Sequence, residues 1–145
     1  MNYKKQVIER LRNLPNERAA LINLPEQIKA LEDRFTAIKA ARMDGDPVTG
    51  GSNHREDALI DNIAEREERQ ADLEWARAEV EIMERNLAAL KPNERIVLER
   101  FFVNGEKYAQ ERLSQELGYE KSQVHRIKDA ALENLARRLY GQVRL

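Results

Sequence analysis

Cysteine is absent from the 145-residue chain, which excludes a disulfide framework and any thiolate-bound metal. Histidine is nearly absent too, with two residues, so no zinc or other metal site is expected. Aromatic residues make up 6%, with six glycines and four prolines. A chain this poor in sheet-forming aromatics and turn formers is expected to be all-α. No apolar run approaches the ~20 residues needed to cross a bilayer. The N-terminal stretch MNYKKQVIERLRNLP lacks the apolar segment of a signal peptide. A soluble, cytoplasmic protein without a membrane partner is the expectation. Catalytic signatures are missing as well. No glycine-rich phosphate loop follows a strand, and no nucleophile elbow or His–carboxylate arrangement is visible. An enzyme is not expected, nor a cofactor.

What the chain does have is charge and periodicity. Charged residues are 35% and hydrophobic ones 41%, at a net charge of −1. The total hides an uneven distribution. Residues 54–90 carry 5 Lys and Arg against 11 Asp and Glu, whereas residues 91–145 carry 11 against 8. An acidic stretch therefore precedes a modestly basic end.

Along the chain, Val7, Leu11 and Leu14 recur at helical spacing before Pro15, and Leu21 and Leu24 before Pro25. Proline removes a helical hydrogen bond but suits a first turn. The N-terminus is thus either two short helices followed by a longer one or a long helix kinked twice. From Leu24, the positions Ile28, Leu31, Phe35 and Ile38 step by four and three, a coiled-coil-type seam. Residues 43–53, rich in Gly, Pro, Ser and Asp, read as a flexible loop. Helix resumes near His54, with Asn53 and Glu56 spaced as a capping box, and continues to Leu90. Its inward seam is Leu59, Ile63, a polar interval at Arg66 and Gln70, then Leu73, Ala76, Val80, Met83, Leu87 and Leu90. Trp75 falls off that seam and calls for a contact elsewhere. Two seams either side of a loop predict a long antiparallel helical hairpin over 1–90. The longer arm outruns the shorter, so a homodimer through the hairpin is one way to cover the remainder.

Residues 91–145 read as a second, three-helix domain. Lys91-Pro92-Asn93 ends the long helix and starts the next. Glu94 to Phe102 follows, with Val97, Leu98 and Phe102 inward, and Val103-Asn104-Gly105 makes a turn. Glu111–Leu117, the turn Gly118-Tyr119, and a helix from Lys121 to Leu139 complete a helix-turn-helix outline. Val124, Ile127, Leu132, Leu135 and Leu139 would point inward, and Gly141 would end the helix. Lys121, Ser122, Gln123, His125 and Arg126 are hydrogen-bonding side chains of moderate length clustered at the start of the last helix. Such residues read base edges in the major groove: Gln pairs with adenine, and Arg or Lys with guanine. Lys128 and Arg112 sit better for phosphates. For His125, a solvated surface position competes with a base contact, and the trihelical end as a whole could serve packing alone.

The stretch from Asn93 to Leu135 resembles region 4 of sigma-70-type transcription factors. The residues that carry the likeness are Glu94-Arg95-Ile96-Val97-Leu98 with Phe102, Leu113-Ser114-Gln115-Glu116-Leu117-Gly118, and Val124-His125-Arg126-Ile127 with Ala131-Leu132 and Leu135. The segment from Gly118 through Gln123–Ile127 is most similar to sigma-like late-transcription activators of phages and prophages, of the ArpU and RinA type. Departures are Glu120 where a small capping residue is usual, with Ser122 as an alternative cap, and Arg100 at a place that is often apolar. The resemblance implies a sequence-specific regulator of phage promoters that binds double-stranded DNA and contacts RNA polymerase. It implies an accessory role, since the chain is too short for the domain that melts DNA. The alternatives are a DNA-packaging adaptor of small-terminase type and a polymerase-binding helical adaptor without DNA affinity.

Overall fold

A computed structural model describes residues 2–44 and 52–141, with the side chains of 2–41 and 54–141. The described residues are helical almost throughout, and no strand occurs among them. The helices are α1 (Tyr3–Asp44), α2 (Ser52–Ala88), α3 (Pro92–Leu98), α4 (Ala109–Leu117) and α5 (Lys121–Tyr140), with a π-helical segment at Glu99–Val103. The loop expected at 43–53 lies largely outside the described residues, as does its flexibility. Helix runs into its first two positions and resumes at Ser52.

α1 resolves the alternatives left by its prolines, because the helix is continuous through both Pro15 and Pro25. A proline inside an isolated helix costs about 3 kcal/mol. Around Pro15 that cost is opposed by packing, since Val7, Leu11 and Leu14 are completely buried. The chain divides into two compact units, Met1–Glu17 with Glu79–Leu145, and Arg18–Ala78. The division expected at 90/91 falls inside the first, larger unit.

In the larger unit α5 packs on α3 and on α4. Val97, Ala109, Leu113 and Val124 form a buried cluster, against which Ile96, Phe101, Leu117, Tyr119 and Ile127 pack. Leu98, Leu132 and Leu135 are buried as the spacing predicts, together with Ala131 and Ala136, whereas Leu139 is only half-buried. Arg10 reaches two other elements of this unit: its Nε donates to Glu79 Oε1 at 2.7 Å, and its Nη1 donates to Tyr140 Oη at 3.3 Å. The Tyr3 ring lies 5.0 Å from that of Tyr140. Beside them Glu17 is buried, and its Oε2 has no hydrogen-bond partner. Burial, and then the Glu79 charge, raise the Glu17 carboxyl above its ordinary range.

The helix expected to run to Phe102 ends differently. From Glu99 to Val103 it widens to π-geometry, with Asn104 N–H donating to Glu99 O at 2.7 Å. Val103 is buried there rather than forming a turn, and Gly105 (φ 57°) makes the reversal.

The smaller unit has a thinner interior. Leu24, Ile28, Leu31, Phe35 and Ile38 of α1 are each half-buried. On α2, Leu59, Leu73 and Ala76 are buried, but the seam corrects one expected position. Ile63 is 39% exposed, and Asn62, at 5%, takes the inward place. Steps of three and four from Leu59 through Asn62, Arg66 and Arg69 to Leu73 keep one helical face, whereas Ile63 lies to the side. Asn62 Nδ2 donates to Leu31 O at 2.9 Å, and Arg66 Nε donates to Asn62 Oδ1 at 2.9 Å. The Arg66 guanidinium also lies 4.8 Å from the centre of the Phe35 ring. Of the polar interval, Arg66 is therefore half-buried against Asn62 and the Phe35 ring, whereas Gln70 is exposed.

Candidate nucleic-acid interface

α5 begins at Lys121. Glu120 occupies its N-cap with extended backbone angles (φ −71°, ψ 154°) and makes no side-chain cap. This corrects the alternative in which Ser122 caps the helix, since Ser122 already lies one residue inside it. The preceding turn is fixed by Gly118 at φ 72°, a conformation that costs a side-chain-bearing residue on the order of 1 kcal/mol. Two side chains of α4 hold the turn. Ser114 Oγ donates to Tyr119 O, and Gln110 Nε2 donates to Lys121 O at 3.0 Å. Gln123 N–H and Val124 N–H both donate to Glu120 O, at 3.0 and 3.1 Å.

These contacts set the orientation of the first two turns of α5. Val124 has 0% exposure, and Ile127 packs against the same cluster. Lys121, Ser122, Gln123, His125 and Arg126 are all exposed around that anchor. The structure thus brings five of the seven candidate residues onto one accessible stretch. His125 Nε2 lies 3.3 Å from Asp129 Oδ2, an ion pair whenever the imidazole is protonated. Arg126 Nε donates to Ser122 O at 3.4 Å, a long bond that leaves most of its guanidinium's donors for other acceptors.

The two candidates assigned to phosphates sit differently. Lys128 is half-buried, its Nζ 5.0 Å above the Phe101 ring. Arg112 Nη1 donates to Glu106 Oε1 at 3.0 Å. Glu106 in turn receives Arg100, whose Nε and Nη2 donate to its two oxygens at 2.7 Å each, while Arg100 also binds Glu116. Hydrogen bonds from Arg100 and then Arg112 lower the Glu106 carboxyl from its ordinary value to about 2. The same carboxylates, Glu106 foremost, hold the Arg100 guanidinium above its usual range. Arg100 is thus a clamp between the connector after α3 and the end of α4.

Sequence reasoning missed two residues at this end of the molecule. Tyr108, the N-cap of α4, is 62% exposed and has φ 61°, the one left-handed non-glycine backbone among the described residues. Lys107 Nζ lies 5.2 Å from its ring centre. Gln110 is the second, acting through the Lys121 carbonyl. Neither carries a local sequence signal. Among the described residues no group of three or more His, Asp or Glu is arranged to hold a metal ion, and no helix is long and apolar enough to cross a membrane. Comparison with family models, with curated proteins and with solved structures found no match.

Proposed function

We propose that the chain is a sequence-specific DNA-binding transcription regulator in which α4 and α5 act as a helix-turn-helix. The observation that carries this reading is the alternation at the start of α5: five exposed hydrogen-bonding side chains set around the fully buried Val124. A helix entering the major groove needs its N-terminal residues free to reach base edges and its opposite face fixed to the domain. Gln123 would pair with adenine, and Arg126 or Lys121 with guanine. The N-terminus of α5 adds backbone donors suited to a phosphate, and Lys128 and Arg112 would add side-chain contacts to the backbone. Arg112 is already engaged by Glu106, so its share in binding phosphate is the smallest of the set.

The similarity of Asn93–Leu135 to sigma region 4 extends the proposal to promoters of phage or prophage type and to contact with RNA polymerase. A packaging adaptor remains the alternative, distinguished by assembly into a large ring. The experiment is a fluorescence-anisotropy titration of the full chain with the duplex upstream of its own coding sequence and with a scrambled duplex. Preferential binding of the upstream duplex is expected. Gln123→Ala and Arg126→Ala should each weaken it by about 1–3 kcal/mol while leaving scrambled DNA little changed. Equal affinity for both duplexes, unaltered by the two substitutions, would remove sequence-specific reading.

A further inference from the structure

α2 presents an apolar strip to solvent within the smaller unit. Ile60 and Trp75 are 63% and 61% exposed, and Ala64, Ala71 and Ala78 are exposed between and beyond them. At 3.6 residues per turn these five positions fall on one narrow face, opposite the buried Leu59, Asn62 and Leu73. Ile60 and Trp75 stand about 22 Å apart along the axis at 1.5 Å per residue. Apolar side chains exposed singly are ordinary, but two large ones joined by three alanines along one face form a contiguous strip, and such a strip facing water marks an interaction surface.

Charge indicates what covers it. Asp57, Glu67, Glu68 and Glu74 lie on the strip or along its borders, with Asp61 and Asp72 just beyond. The four arginines of α2 in this unit, Arg55, Arg66, Arg69 and Arg77, project from the other side of the helix. The face is therefore apolar along its centre and of one sign along its edges. We propose that it docks an amphipathic helix of a partner protein whose apolar row is flanked by lysine or arginine. The three alanines let two helix axes approach to about 8–10 Å, while Ile60 and Trp75 anchor the two ends. A second copy of this chain fits less well, because laying the strip on itself opposes carboxylates with carboxylates across the contact.

Trp75 is the only tryptophan of the chain, so its emission reports on this face directly. The test titrates the full chain with a synthetic helical peptide carrying leucines on one face and lysines on its flanks. The expected result is a saturable shift of Trp75 emission to shorter wavelength, with affinity falling about tenfold or more between low and high salt. Labelled peptide should bind about tenfold more weakly to Trp75→Ala and to Ala71→Glu, two exposed positions at which circular dichroism checks that the helices persist. An unshifted emission would overturn the proposal. So would equal binding of a scrambled peptide of the same composition, or of a peptide with glutamates in place of its lysines. A shift produced by raising the concentration of the chain alone would assign the face to a second copy instead.

Discussion

The two units bury their side chains to very different depths. Among the described residues, the nine largest fully buried side chains, Val7, Leu11, Leu14, Met83, Val97, Leu98, Leu113, Val124 and Leu135, all belong to the larger unit. In the smaller unit the α1 seam is only half-buried, and a polar side chain, Asn62, sits among the most enclosed positions. Geometry accounts for the contrast. Several helical segments packed together can enclose a side chain from every direction, whereas segments of just two helices can shield little more than one stripe on each. The consequence is a division of labour in the proposed reading. The larger unit supplies the rigid anchor that a base-reading helix needs, and the smaller one leaves apolar surface over for another helix.

The largest effect that could break this comparison is a cavity. Leu113→Ala should destabilise the protein by about 2–5 kcal/mol, the range for a fully enclosed leucine, because α3, α4 and α5 hold the space open. Leu31→Ala in the smaller unit should cost under about 2 kcal/mol, since the half-exposed site keeps much of its water contact. Chemical denaturation of both variants checks the pair, and equal losses would contradict the difference in depth.

A smaller effect of opposite sign is expected at Asn62. Replacing it with Leu should stabilise the smaller unit by about 1 kcal/mol while relaxing the register that its bond to Leu31 O specifies. Thermal unfolding gives the first quantity, and hydrogen exchange of α1 near Leu31 the second.

The smallest effects are pH responses within the larger unit, where two carboxylates act in opposite directions. Glu106 is held down to about 2 by Arg100 and Arg112. Its contribution is therefore complete above the ordinary value of 4.5 and is lost as pH falls from there toward 2. Glu17 is raised by burial and by Glu79, so stability increases as pH falls through its elevated value toward the ordinary one. Glu106→Gln should flatten the acid loss, and Glu17→Gln should stabilise near neutral pH and remove the rise. Unfolding midpoints measured from pH 7 down to about pH 2 follow both carboxylates through their transitions.

Much of the fold was legible because the pattern is long and regular. The α2 seam from Leu73 to Leu87 and the inward row of α5 from Val124 to Leu135 appear as their spacing predicts, while Leu90 is buried just past the end of α2 at Ala88. The start of α5 lay within a residue or two, and the extended backbone of Glu120 decides it at Lys121. What escaped depends on partners distant in sequence. The prolines left α1 open between separate helices and one long kinked helix; one helix forms, and burial of Val7, Leu11 and Leu14 opposes the lost hydrogen bond at Pro15. Ile63 is the more apolar choice, yet Asn62 lies on the inward face and finds a carbonyl 31 residues away. Arg100 could not be read as a clamp without knowing that Glu106 and Glu116 converge on it. The candidate site was legible as composition on a helix start; the engagement of Arg112 by Glu106 and the left-handed backbone of Tyr108 were not.

The central claim, that the start of α5 reads DNA, is tested most directly by amide chemical shifts of the full chain as duplex is added. Perturbations should concentrate on Lys121–Arg126 and the Gly118 turn, with unit Arg18–Ala78 unchanged. Shifts confined to the smaller unit, or none at Lys121–Arg126 at saturating duplex, would contradict it.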